Sequence, residues 1–353
     1  MTPLFCLEEN MKLALLTILS AVLVASASAQ VVSPPSDGCE SESYGCPAGR
    51  IPHPGHPPIE ATIPIPPPAN IEARSLAVAD GVLYLGTSAG AIYTSRDGGQ
   101  TWQGLAKFRF DYVIGRIVVD GDHIYLAAWT LSDPTQGSFL VSDDRGATWN
   151  LTLNKSIRGI AISGNILVIG ALDGVFRSRD FGRTFEPISA NITDVQSIGI
   201  DPVDPSYIFV GTWHLGYYTH NGGATWHQIA KGIINDSDFF SIVLDGETIY
   251  IGACSGIYKG NDDGQQYHKE KTKTDARRTK VIRQINHNTL YAGTTDGVWV
   301  TVDGGKSWKR RGNRNIVVND MVFTSPNHLV IATSRFSVIW SDDGGKSFTY
   351  AQF

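Results

Sequence analysis

SRDGGQTW at residues 95–102 returns as SDDRGATW at 142–149, SRDFGRTF at 178–185, THNGGATW at 219–226, GNDDGQQY at 260–267, TVDGGKSW at 301–308 and SDDGGKSF at 341–348. The copies start 36–47 residues apart, and four of the six spacings are 40 or 41. Seven copies at so even a period mark a repeat architecture. Between copies the same order recurs: an apolar run, a turn, a run such as LYLGT at 83–87, a glycine turn, a run such as AIYTS at 91–95, the motif, and a last short apolar stretch. Four short strands in about forty residues are the content of one propeller blade, a small sheet that leaves only short edges when blades close radially. The expected fold class is all-β, a single seven-bladed β-propeller with one such turn in each blade.

The motif has a mechanical reading. An aspartate at its third position can accept backbone N–H groups inside the turn, and a glycine at its fifth takes a conformation that a Cβ would hinder. The aromatic at its eighth position can wedge between neighbouring sheets. The paired structural residues are Asp97 and Trp102, Asp144 and Trp149, Asp180 and Phe185, Asn221 and Trp226, Asp262 and Tyr267, Asp303 and Trp308, and Asp343 and Phe348. The fifth copy, with Gly260 and Gln266, departs furthest from the pattern.

These motifs resemble the BNR/Asp-box propeller superfamily across residues 74–353. That superfamily includes sialidases, xyloglucanases, sortilin-like receptors and photosystem II assembly factors, so the resemblance implies a fold and leaves function open.

Upstream of the repeats the chain changes character. Lys12, the apolar run 13–24 and the small-residue stretch 25–29 read as a signal peptide over residues 1–29, with Met11 the expected start. Residues 30–70 carry eleven prolines and read as an extended arm; the propeller is assigned to 71–353. Export would allow a Cys39–Cys46 disulfide and leave Cys254 as a lone buried strand residue. The expected location is secreted or periplasmic, without a lipid-anchoring cysteine at the cleavage site and without a transmembrane segment once the leader is removed. A net charge of -5 gives no general affinity for nucleic acid.

In propellers of this kind the motif turns lie on one face. The loops joining strand two to three, and strand four to the next blade, lie on the other, around the channel mouth. Binding candidates there are Asp111, Tyr112, Trp129, Asp173, Trp213, His214, Asp296, Arg335 and Phe336. A basic patch is expected from Lys271, Lys273, Arg277, Arg278, Lys280, Arg283, Lys309, Arg310, Arg311 and Arg314, within a 269–314 segment that carries twelve Lys and Arg against four Asp and Glu. Such a patch would attract an acidic partner.

Enzyme readings find less support. The sialidases use an arginine triad, an acid and a Tyr/Glu pair, and begin with an Arg-Ile-Pro motif. Arg50-Ile51-Pro52 is present but sits in the arm. Arg74 and Arg158 open inner strands, where the other blades hold Gly115, Gln196, Phe240 and Asp320. Xyloglucanases set two carboxylates across a cleft between two propellers; here Asp173 and Asp296 sit in Asp-Gly turns of a single propeller. His214, His220 and His227 fall on a loop, a motif and a strand, so no metal and no cofactor is expected. The reading is a monomeric, non-enzymatic binding or assembly propeller for a protein or glycan ligand. A glycoside hydrolase is the alternative, and a secreted structural module a weaker one.

Overall fold

The computed structural model describes residues 72–353, apart from 109–111, 230–231, 234–237, 247, 262–266, 271–277, 313–314 and 336. The signal peptide, the proline-rich arm, Cys39 and Cys46 therefore lie outside the described residues. So do Asp111, Phe336, Asp262, Lys271, Lys273, Arg277 and Arg314.

Seven four-stranded antiparallel sheets each use four consecutive strands. Their first strands are Ala73–Ala79, Tyr112–Asp120, Ile157–Ser163, Val195–Ile200, Phe239–Asp245, Thr279–Asn286 and Val318–Phe323. Each packs against the first strand of the next sheet, and the seventh packs against the first. The ring is a seven-bladed propeller, as the repeat count requires.

Burial follows position in the blade. The second strands, such as Val82–Thr87 and Leu329–Thr333, are buried along their whole length, because both faces of the sheet meet neighbouring blades. That is why they are continuous apolar runs rather than alternating ones. The fourth strands, such as Gln103–Lys107 and Thr349–Tyr350, are largely exposed at the rim.

The core is not one cluster but a series of inter-blade clusters. Leu83, Leu85 and Tyr93 of blade one pack with Val330 and Ala332 of blade seven. Phe139 and Val141 of blade two pack with Leu167 and Ile169 of blade three. Each motif aromatic inserts between its own blade and the preceding one: Trp102 joins blades seven and one, Trp226 blades three and four, and Trp308 blades five and six.

The turn chemistry repeats with small variations. Ser95 Oγ donates to Asp97 Oδ1 at 2.8 Å and accepts from Gly99 N at 2.9 Å. Asp97 in turn accepts from the backbone of Gln100 and Thr101 and from the Thr101 hydroxyl. Gly99 has φ +88°, and a Cβ there would lie 2.9 Å from Val330 of the preceding blade. In blade four the Asn221 amide keeps the pattern, accepting from Thr225 N and donating Nδ2 to Thr225 Oγ1 at 2.8 Å.

These donor-rich turns hold their carboxyls below the usual range. At Asp303 the Ser307 and Thr301 hydroxyls bring the pKa down to about 2. At Asp180 burial pulls upward, but bonds from Thr184 and Ser178 outweigh it and also leave about 2. A carboxyl depressed on folding contributes stability above its unfolded pKa and loses it as pH falls through the folded value. The thermal midpoint is therefore expected to hold down to about pH 4 and to drop steeply between about pH 4 and 2. A midpoint unchanged across that window, followed by circular dichroism, would rule out the turns as the acid-sensitive element.

Ring closure needs no strand exchange. On the inner side, Asp320 Oδ2 of blade seven accepts from Leu76 N of blade one at 3.0 Å, and Asn319 Nδ2 donates to Ala73 O at 2.8 Å. On the outer side, the last residues cross to blade one: Trp102 N donates to Gln352 O at 3.0 Å, Gln352 N to Gln100 O at 2.8 Å, and Phe353 stacks on Trp102.

One cysteine expectation is corrected. Cys254 is disulfide-bonded rather than free. It also lies in the turn just after the strand Thr248–Ala253 rather than within it, and is only partly buried. A partly exposed turn sulfur is open to approach by a second cysteine.

Candidate binding site at the channel mouth

Every first strand departs from regular pairing at the same place. The register against the second strand slips by one residue at Arg74, Gly115, Arg158, Gln196, Phe240, Lys280 and Asn319. Each slip is a β-bulge, which bends the strand and re-aims the extra side chain. The seventh member is Asn319, not Asp320 as the sequence alignment of blades suggested. The bulge moves the register by one, and Asp320 becomes the buried residue that follows it.

The seven bulges, six with side chains and one a glycine, fall at equivalent positions toward the start of the first strands. Lys280 Nζ donates to Asn319 Oδ1 at 2.8 Å, and Asn319 Nδ2 continues to Glu72 Oε1 at 2.9 Å. Arg74 pairs with Glu72 at 2.9 Å.

Blade two carries no side chain at its bulge, and the space is used. A Cβ on Gly115 would lie 1.7 Å from Trp129 Cζ3, so the indole of Trp129 lies where a side chain would otherwise stand. The Arg158 guanidinium is 3.8 Å from the centroid of that indole, and its NH2 donates to Pro134 O at 2.8 Å. Planar guanidinium on an aromatic face is a favourable cation–π geometry. Burial, with Arg74 adding like-charge repulsion, pulls Arg158 down to about 10, so it remains charged at neutral pH.

Below the bulges, Arg116 reaches through the channel. Its Nε donates to Arg158 O at 3.3 Å and its NH2 to Phe240 O at 3.2 Å, joining blade two to the non-adjacent blade five. Burial holds its pKa below the usual value, Asp320 opposing and Arg283 reinforcing. Arg283 NH2 donates to Asp320 Oδ1 at 2.7 Å, and its Nε to Met321 O at 2.9 Å.

The sequence-derived candidates divide accordingly. Trp129 stands at the heart of the site. Trp213 is half-buried, while His214 and Arg335 are exposed. Tyr112 is buried, its hydroxyl 3.0 Å from Ser138 Oγ, so it supports the blade rather than meeting a ligand. Asp173 pairs with Lys155, and Asp296 with Arg310 at 3.0 Å.

The described basic residues have different surroundings. Arg283 belongs to the channel, Arg278 is buried with its guanidinium 5.6 Å from the Phe240 ring, and Arg310 leans on Trp299 while pairing with Asp296. Lys309 is exposed and Arg311 partly buried. Sequence reasoning noticed Arg74 and Arg158 only as a failed triad and passed over Arg116. The available signal was a cation within each of three successive inner strands.

Among the described residues no group of three or more His, Cys, Asp and Glu side chains could hold a metal ion. No helix among them is long and apolar enough to cross a membrane.

A BNR/Asp-box repeat model matches residues 93–103 and 217–228, the motif turns of blades one and four. The chain is an Asp-box β-propeller. No curated protein matches it by sequence. Among solved structures, this Asp-box propeller is similar to YCF48 from Cyanidioschyzon merolae at 14% identity and a TM-score of 0.61, covering 79% of this chain and 98% of that one. YCF48 bound to D1 peptide is similar at 15% identity and a TM-score of 0.59, covering 79% and 93%. The GH74 xyloglucanase from Xanthomonas campestris is similar at 15% identity and a TM-score of 0.65, covering 82% of this chain but 54% of that one. The Asp-box propeller thus spans about half of the xyloglucanase. At these identities the likeness is one of fold.

Proposed function

We propose that this Asp-box propeller is a non-enzymatic binding protein, working outside the cell or in the periplasm, that takes a peptide segment of a protein partner at its channel mouth. The observation that carries this reading is the stack of Arg158 on Trp129 over Gly115, an aromatic and cationic platform with Arg74 beside it. Aromatic residues and arginine are the side chains that most often dominate protein-binding surfaces. The peptide complex of YCF48 is in keeping with a peptide ligand on this fold. Against the hydrolase alternative, the two turn carboxylates weighed for it, Asp173 and Asp296, are each paired with a cation.

The test is selection of ligands by the intact chain from a random peptide library and, in parallel, from a glycan array. Selected peptides are expected to bind Trp129→Ala at least about tenfold more weakly, the loss of one desolvated cation–π platform. Peptides that bind both proteins equally, or selection of glycans alone, would overturn the reading.

A further inference from the structure

We propose that Arg116 is the positioning residue of the mouth: its guanidinium braces the bulges of blades three and five across the channel and so fixes the platform that Arg158 forms on Trp129. The inference rests on the mouth being the binding site only where a ligand is measured.

The residue that follows each bulge has a common task. Ser75 Oγ of blade one accepts from Ile117 N of blade two at 3.0 Å, Ser241 Oγ of blade five from Ile282 N of blade six at 3.0 Å, and Asp320 Oδ2 of blade seven from Leu76 N of blade one at 3.0 Å. Ser197 Oγ of blade four donates to Phe239 O of blade five at 2.8 Å. Each is a short side chain that bonds the backbone of the next blade. Blades three and six have Gly159 and Val281 at this position, which offer no polar side-chain atom. Between blades six and seven Arg283 serves instead, through Nε to Met321 O at 2.9 Å. At Gly159 the blades are packed too closely for a side chain, since a Cβ would lie 3.1 Å from Ile198 N of blade four.

Arg116 holds the same position in blade two, and it is the long member of the set. Its Nε donates to Arg158 O of blade three at 3.3 Å and its NH2 to Phe240 O of blade five at 3.2 Å. It therefore spans the step at which Gly159 contributes no side-chain bond. Both acceptors belong to bulge residues, which stand outside the regular ladder. Bonds from a cation are the stronger, charge-assisted class, and a planar fork fixes the direction of both. Blade two then grips Arg158 twice. Trp129 takes its guanidinium, 3.8 Å from the ring centroid, and Arg116 takes its carbonyl. Gly115 and Arg116 are consecutive, so one bulge admits the indole and aims the brace. A platform held at both ends loses little freedom when a ligand arrives.

Hydrogen exchange of the intact, ligand-free chain, read by mass spectrometry, tests the brace. Arg116→Met keeps the reach of the side chain and removes its donors. Amides around Arg158 and Phe240 are expected to speed up at least about tenfold more than those of the third strands Ala91–Ser95 and Gly297–Thr301, the effect of losing one hydrogen bond at each bulge. Uniform acceleration, or none, would overturn the proposal. Should Arg116→Met not fold, Arg116→Lys decides in its place, because it keeps a charge beside Asp320 and replaces the fork by a single ammonium. Exchange around Phe240 is then expected to rise at least about fivefold, and wild-type exchange at both bulges would overturn the brace.

A second arm reads the consequence for binding. Peptides selected on the wild-type chain are expected to bind Arg116→Met at least about fivefold more weakly. Once Trp129→Ala has removed the platform, Arg116→Met is expected to cost nothing further. Wild-type affinity in Arg116→Met, or losses that multiply in the double variant, would overturn the positioning role. If no peptide is selected, the binding reading falls and the exchange pattern still decides the brace.

Discussion

Asp320→Ala is expected to lower the free energy of unfolding by about 2–4 kcal/mol, from stranded buried amides together with the loss of a partly exposed ion pair. Asp320 is 2% exposed. Its Oδ1 accepts from Arg283 NH2 at 2.7 Å and Met321 N at 2.9 Å, and its Oδ2 from Leu76 N at 3.0 Å. One carboxylate thus neutralises a channel arginine and ties blade seven to blade one. Alanine leaves Arg283 without its counter-charge beside Arg116, and strands the Leu76 amide. Asp320→Asn keeps one acceptor oxygen and is expected to recover part of the loss. Urea unfolding measures both: the midpoint should fall with an unchanged slope. A loss under about 1 kcal/mol would mean that the outer contacts of Gln352 and Phe353 hold the seam without it.

The second large effect is expected at Trp308. Its side chain is 4% exposed and packs among Tyr250, Ile257, Ile282, Leu290 and Trp299, side chains of two blades. Trp308→Ala should cost about 3 kcal/mol or more, the transfer free energy of the indole plus the cavity that rigid sheets cannot collapse to fill. The indole Nε1 makes no hydrogen bond, so the loss is one of packing. A cost below about 1 kcal/mol would show that the aromatic does not wedge the blades apart in solution.

How much of this was readable beforehand differs between scaffold and site. The turn motif is local: Ser95, Asp97, Gly99 and Thr101 satisfy one another within a few residues, so its chemistry survives in linear form and can be counted. The aromatic at its end was also readable as a wedge, although the direction, toward the preceding blade, was not. The site is the reverse case. Gly115 is an ordinary glycine in an apolar run until Trp129 is seen to fill its place. Arg158 looks like a strand-opening charge until Trp129 and Pro134 O are seen to hold it. Within the basic run, the sequence does not show that Arg283 pairs with Asp320 of the next blade or that Arg310 pairs with Asp296.

By itself, then, the sequence determined the all-β class, the number of blades and the residues that fasten each turn, because those depend on bonds within a single repeat of about forty residues. Only the tertiary structure decided which charges meet. Arg74, Arg116 and Arg158 come from three different blades, and their register is set by a bulge in each strand. Packing of the blades sets Arg158 beside Arg74, and Arg116 beside Asp320 and Arg283. A one-residue slip in pairing moves a side chain to the other face of a strand, so the mouth could be assembled only once every strand was in place.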